Sequence, residues 1–228
     1  MKIIASDFDK TLFVEDKEVV RENINRINDY TKEGNLFIIL TGRIYSDIKK
    51  LLNEYGIKYN YLICEDGAKI FNNLDYSIKD YLLPKEKIEK IEEILNKYDL
   101  DYYLDDGYNT TNNKDDCIKI NVKITDRDLF KKLLKEVKDN VDVYAYLSRS
   151  FLNITDSSTS KAIALEYIMA YEDYNKDDLY VIGDDVNDIE MINKYNGYVM
   201  KEHSKELDNL SKKEFDTVSE FIDYIKNT

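Results

Sequence analysis

The sequence has one histidine, two cysteines, one proline and seven glycines among 228 residues. The lone His203 lies in a Lys/Glu-rich stretch and reads as a surface residue, which leaves little room for a histidine relay or a Ser-His-Asp triad. Cys64 and Cys117 lie far apart and match no zinc or dithiol spacing; they read as buried free thiols. No apolar run approaches the ~20 residues that a membrane helix needs. The opening residues follow a strand pattern and not the order of a secretory leader, so a cytoplasmic protein is expected. Basic residues are outnumbered, 33 against 46 acidic, for a net charge of −13. That balance argues against a nucleic-acid partner, which needs clustered basic surface. A small anionic substrate would need local Lys, Arg or a bound cation to overcome the general field. With so few Pro and Gly, element ends must be read from periodicity.

What is present is a series of short, wholly apolar strands separated by helical patterns. Strands are expected at 3–5, 36–40 and 61–64, with helices over 17–33 and 44–55 between them. All-apolar strands suit a sheet covered on both faces, and the βαβαβ order implies parallel strands with right-handed crossovers. The pattern then changes. Helices are expected over 85–98 and after Asp126, the latter capped by that aspartate, with strands at 100–104, 118–124, 141–147 and 151–154. Ile118, Ile120, Val122 and Ile124 alternate with polar residues, which marks a half-exposed antiparallel strand. Residues 82–150 therefore read as an inserted α+β unit of two α-β-β repeats of pattern. Afterwards the doubly wound pattern returns: a helix over 159–171, a strand at 179–182, a short helix over 186–193, a strand at 197–200 and a closing helix over 218–225. The fold class is α/β, a doubly wound, Rossmann-like parallel sheet formed by residues 1–81 and 151–228, interrupted by a smaller α+β domain.

Three apolar strands end in polar chemistry: Asp7 and Asp9, then Thr41, then Asp184. A parallel sheet gathers such ends at one edge, where ligands of α/β proteins bind. Taken singly, each is equally an Asp-rich turn or a helix cap. Lys161 stands at a helix start, where the macrodipole disfavours a cation. Together the groups describe phosphoryl transfer. Asp7 can accept a phosphoryl group, and Asp9 can protonate the leaving oxygen and then activate water. Mg²⁺ held by Asp7, Asp184 and Asp188 would offset the repulsion between nucleophile and phosphate. Thr41, the amide after it and Lys161 would hold the other phosphate oxygens.

Four motifs in order resemble the haloacid dehalogenase superfamily of phosphatases, in its Cof-like branch with a C2-type cap. Asp7, Asp9 and Thr11 match Asp-x-Asp-x-Thr; Thr41 matches the second motif, Lys161 the third, and Gly183, Asp184, Asn187 and Asp188 the fourth, with Met191 also in place. The resemblance implies a Mg²⁺-dependent phosphatase that forms a phosphoaspartate on Asp7. It implies catalytic roles for Asp7, Asp9, Thr41 and Lys161. Phosphate would be bound by Thr41, Gly42, Arg43 and Lys161, and metal by Asp7, Asp9 (through its backbone oxygen), Asp184 and Asp188. Residues 82–150 would be a short cap that reads the leaving group, with the loop 105–116 as the reader or else a solvated surface loop. The chain departs from the pattern at Lys10, where Gly is common, at Glu65 and Asp66 before Gly67, where Asn is usual, and at Asp185. The expected partner is a small phosphorylated metabolite, a sugar phosphate or a phosphoglycolate-like acid. The alternatives are a phosphomutase or phosphotransferase on the same scaffold, and a non-enzymatic Mg²⁺-binding module phosphorylated on Asp7.

Overall fold

The computed structural model describes residues 1–228 except 149, 212 and the side chain of Ser148. The elements in order are β1 (Ile3–Asp7), α1 (Lys17–Lys32), β2 (Leu36–Leu40), α2 (Tyr45–Tyr55), β3 (Tyr61–Cys64), β4 (Lys69–Asn72), β5 (Ser77–Asp80), α3 (Lys85–Asn96), β6 (Tyr102–Asp105), β7 (Thr110–Thr111), β8 (Lys119–Lys123), α4 (Arg127–Asn140), β9 (Val143–Ser148), β10 (Phe151–Asp156), α5 (Lys161–Tyr171), β11 (Leu179–Gly183), α6 (Ile189–Lys194), β12 (Asn196–Met200), β13 (Glu214–Phe215) and α7 (Val218–Lys226).

The apolar strands are where their composition places them. One sheet runs β13-β12-β11-β1-β2-β3-β4-β5, parallel from β13 to β3. Its central strands are wholly buried, because helices cover both faces. One face packs Ile4, Phe37 and Ile39 against α1, α2 and α7; the other packs Ala5, Ile38 and Val181 against α5 and α6. The helix ends follow local chemistry. Asp16 caps α1 and Asp126 caps α4, each accepting two backbone N–H groups, while Gly56 in the left-handed region closes α2. The antiparallel hairpin β4–β5 extends the sheet beyond β3, a feature absent from the expected elements.

The second sheet is antiparallel, β7-β6-β8-β10-β9. One face buries Ile120, Val122, Leu152 and Ile154 against Ile88, Ile91 and Leu133 of α3 and α4. β10 pairs within this sheet, so the smaller layer runs past the expected boundary at residue 150 to Asp156. β8 is also not half-exposed. Lys119 and Asn121, on its polar phase, are 2% and 5% exposed, because that face lies over the strand ends of the larger sheet. Cys64 and Cys117 are buried free thiols, as expected. No described helix is long and apolar enough to cross a membrane.

Gly67 shows how tightly the connections near the sheet edge are held. It has φ +111°, and a Cβ there would lie 2.2 Å from the carbonyl oxygen of Ser160. Ser160 caps α5, with its side chain accepting from the Ile163 amide. Gly67→Ala must therefore displace the helix start that carries Lys161. The expected cost is about 2–4 kcal/mol, read from the urea midpoint; an unchanged midpoint would show that the turn can relax freely.

Candidate active site

β1 lies between β2 and β11, all three parallel, so Asp7, Thr41 and Asp184 emerge side by side at one edge. Lys161, the first residue of α5, reaches in from the covering helix. Its ammonium donates to Asp7 Oδ1 at 2.5 Å and to Asp188 Oδ1 at 2.7 Å. The other oxygen of Asp188 accepts the amides of Asp184 and Asp185 at 3.0 and 3.1 Å, which folds the 184–188 turn around that carboxylate. Thr11 donates to Asp184 Oδ1 at 2.7 Å. Oxygens of Asp7, Asp184 and Asp188 lie within 4.8 Å of one another, all buried.

Three buried carboxylates face a single lysine, so negative charge is in excess. Burial raises the Asp7 carboxyl well above its ordinary value, with Lys161 opposing and Asp188 and Asp184 adding to the rise. Asp184 is pushed up to about 6, first by burial and then by Asp188, against the Thr11 hydrogen bond. Hard oxygen donors with uncompensated charge are what a small divalent cation such as Mg²⁺ requires. The residues fit that ion.

Asp9 is not part of this oxygen cluster. Its carboxylate receives a two-pronged contact from Arg43, Nε to Oδ2 at 2.8 Å and Nη2 to Oδ1 at 2.6 Å. Arg43, expected to bind phosphate, is thus engaged with Asp9, because the turn after β2 aims it across the sheet edge. Thr41 is fully buried, and its Oγ1 accepts the Arg43 amide at 3.1 Å.

A cavity of about 220 Å³ opens over these groups. The larger layer contributes Asp7, Asp9, Lys10, Gly42, Asp184, Asp185 and Asn187; the smaller contributes Tyr103, Lys119, Asn121, Tyr146, Phe151 and Asn153. Lys10 lies on this wall at φ +64°, without a carboxylate partner among the described residues. A cap over the site was expected from residues 82–150, but with the loop 105–116 as its reader and not these wall residues. Their only sequence signal is the polar phase of β8 and β10, which looks like solvent exposure. The loop 105–116 lines none of the cavity. It docks instead on the larger layer, where the Gly107 carbonyl accepts the Tyr45 amide at 2.8 Å and Tyr108 packs edge-on against Tyr45 and Phe71.

At the back of the cavity Lys119 contacts Asp66 Oδ2 at 2.8 Å and Glu65 Oε2 at 3.0 Å. The Glu65 contact has ion-pair distance but not hydrogen-bond alignment, so both Glu65 oxygens lack a hydrogen-bond donor among the described residues. Burial would raise Asp66, but Lys119 and Lys161 outweigh it and hold its carboxyl at about 2. Burial raises Glu65 to about 8 against the pull of Lys119. His203 lies outside the cavity and is half-buried at the surface: its side chain is 9% exposed, with Nδ1 2.9 Å from the Ser204 carbonyl oxygen.

The model of one family, haloacid dehalogenase-like hydrolase, matches residues 4–115 and 104–221. The chain belongs to the haloacid dehalogenase-like hydrolases. The expectations of an enzyme, a hydrolase, and of this superfamily are thereby borne out. The chain is 23% identical to the 5-amino-6-(5-phospho-D-ribitylamino)uracil phosphatase of Bacillus subtilis, across 100% of this chain and 90% of that one. It is 22% identical to an HMP-PP phosphatase of Yersinia pseudotuberculosis, across 85% and 81%. The fold matches a haloacid dehalogenase-like hydrolase structure from B. subtilis with a TM-score of 0.84 at 16% identity, covering 99% of both chains. A Bacteroides thetaiotaomicron hydrolase of the same kind gives 0.81 at 19%, covering 98% of this chain and 99% of that one. In this hydrolase of the superfamily, the four sequence motifs are the segments that converge on the Asp7 cluster.

Proposed function

We propose that this hydrolase is a Mg²⁺-dependent phosphatase of small phosphate monoesters. The observation that carries the reading is the convergence of Asp7, Asp184, Asp188 and Lys161 beside a cavity that Asp7, Asp9 and Asp184 line. The Asp7 carboxylate attacks phosphorus and forms an acyl phosphate while the ester oxygen leaves. Asp9 gives that oxygen its proton, then takes a proton from the water that attacks the same phosphorus and releases phosphate from Asp7. Bound Mg²⁺, held by Asp7, Asp184 and Asp188 with the Asp9 backbone oxygen, supplies positive charge against which carboxylate and phosphate can approach. Lys161 holds Asp7 in place and meets the phosphate oxygens alongside Thr41 and Gly42. Arg43 orients Asp9.

Residues 82–156 act as the cap, with their inner wall facing the leaving group. That wall offers Asn121, Asn153, Tyr103 and Phe151, with the charge of Lys119 matched by Asp66. Such a surface suits an uncharged, hydroxylated leaving group, as in a sugar or polyol phosphate, better than a carboxylic acid. The phosphoribityl compound in the name of the B. subtilis relative has that chemistry. Free thiols and the composition accord with a cytoplasmic location.

The test is phosphate release from a panel of sugar, polyol and carboxylate phosphates in Mg²⁺, then in EDTA. Turnover should be highest on hydroxylated esters, vanish on chelation and return with excess Mg²⁺. Undiminished hydrolysis in EDTA would overturn the metal assignment.

A further inference from the structure

Lys119 lies on the wall of the cavity, but its ammonium is held at the base by protein oxygens. It donates to Asp66 Oδ2 at 2.8 Å and Gly42 O at 3.1 Å, and Glu65 Oε2 lies at ion-pair distance, 3.0 Å. The side chain comes from β8 of the smaller layer. All three oxygens belong to the larger layer. The contact therefore crosses between layers at the base of the cavity, and its side chains are at most 2% exposed.

Asp66 is the hub of this contact. One oxygen takes Lys119, and the other accepts Asn187 Nδ2 at 2.9 Å. Its amide donates to the Thr41 carbonyl at 3.0 Å. A Cβ on Gly42 would come within 3.0 Å of Asp66 Oδ1, so the loop after β2 is pressed against the carboxylate. Asp66 thereby touches the loop that holds Thr41 and Gly42, the turn that holds Asp184 and Asp188, and the cap strand β8. Its backbone is strained to do so. Glu65 and Asp66 are consecutive non-glycine residues in the left-handed region, at φ +51° and +58°. Such strain persists only where the surroundings over-determine the conformation.

We propose that Lys119 and Asp66 form a charged clasp that positions the Gly42 loop and the Asn187 turn beneath the cap for phosphate binding, without either residue touching substrate. The proposal rests on the phosphatase reading for the identity of the ligand. Lys119→Met leaves Asp66 buried without its counter-charge, which should lower stability. Asp66→Asn together with Lys119→Met removes both charges and should restore most of that stability. It does not rebuild the link between layers.

The experiment measures melting temperature, the kcat and KM of an aryl phosphate, and calorimetric affinity for inorganic phosphate in Mg²⁺, on wild type, Lys119→Met and the double variant. A clasp predicts KM and the phosphate dissociation constant both raised at least ~10-fold in the double variant, with kcat changed much less, although its melting temperature has recovered. Recovery of KM and phosphate affinity together with the melting temperature would make the pair merely structural and overturn the proposal. If Lys119→Met fails to fold, the double variant carries the test alone. Wild type that turns over and binds phosphate while the variants match it sinks the clasp only; wild type that does neither sinks the phosphatase reading and the clasp with it.

Discussion

Asp7→Asn is expected to abolish hydrolysis, lowering kcat by at least ~10⁴-fold, which corresponds to about 5.5 kcal/mol of barrier. The amide has the shape of the carboxylate but lacks the negative charge that makes its oxygen a nucleophile. The fold should survive. Asp7 sits in a pocket where burial, Asp188 and Asp184 all oppose its ionisation, so removing its charge relieves repulsion. Lys161 keeps its contact with Asp188 at 2.7 Å. Without added metal the variant should therefore melt no lower than wild type at neutral pH. With metal the comparison reverses. A ligand that binds only the folded state stabilises it in proportion to the logarithm of its saturation, so the rise in melting temperature produced by Mg²⁺ should shrink when one of three carboxylates is lost. Activity above about 1% of wild type, with the fold intact, would remove Asp7 from the role of nucleophile.

Asp7 could be placed because the features that reveal it are local in the chain. Ile3, Ile4 and Ala5 form an apolar run that only a doubly covered strand accommodates, and the run stops at the carboxylate. The same logic placed Thr41 and Asp184, whose strands are also apolar from end to end, and the cap Asp126 followed from side-chain chemistry within three residues. The hairpin β4–β5 escaped because its strands hold few apolar residues and owe their conformation to pairing with β3. Lys119 and Asn121 escaped for a different reason. An alternating strand tells which residues share a face, but not whether the polar face meets water or another layer; here it meets the strand ends of the larger sheet. The engagement of Arg43 with Asp9 and of Lys119 with Asp66 depends on side-chain directions across loops. Periodicity holds no record of those directions. Hence the groups that cluster at the strand ends were legible, while those that pack against them emerged only with the packing.

Glu65→Gln should reveal one cost of that packing through pH. Glu65 is 1% exposed, and burial, aided by Asp105 and opposed by Lys119, raises its carboxyl from 4.5 to about 8. Folded protein therefore holds a proton between pH 4.5 and 8 that the unfolded chain releases. Where the folded state binds more protons, stability falls as pH rises. The loss begins above about 4.5 and is complete once pH passes about 8. At 1.36 kcal/mol per pH unit the full effect is on the order of 3–5 kcal/mol. Glutamine keeps the shape and an acceptor oxygen beside Lys119 but needs no proton to stay neutral. Melting curves of the two proteins should nearly coincide at pH 4.5 and separate steadily above it, the variant reaching about 10 °C higher by pH 8.5. A gap that stayed constant from pH 4.5 to 8.5 would mean that Glu65 does not change protonation on folding. In that case Lys119 would be shared by two buried carboxylates, and the charge balance at the base of the cavity would be negative instead of neutral.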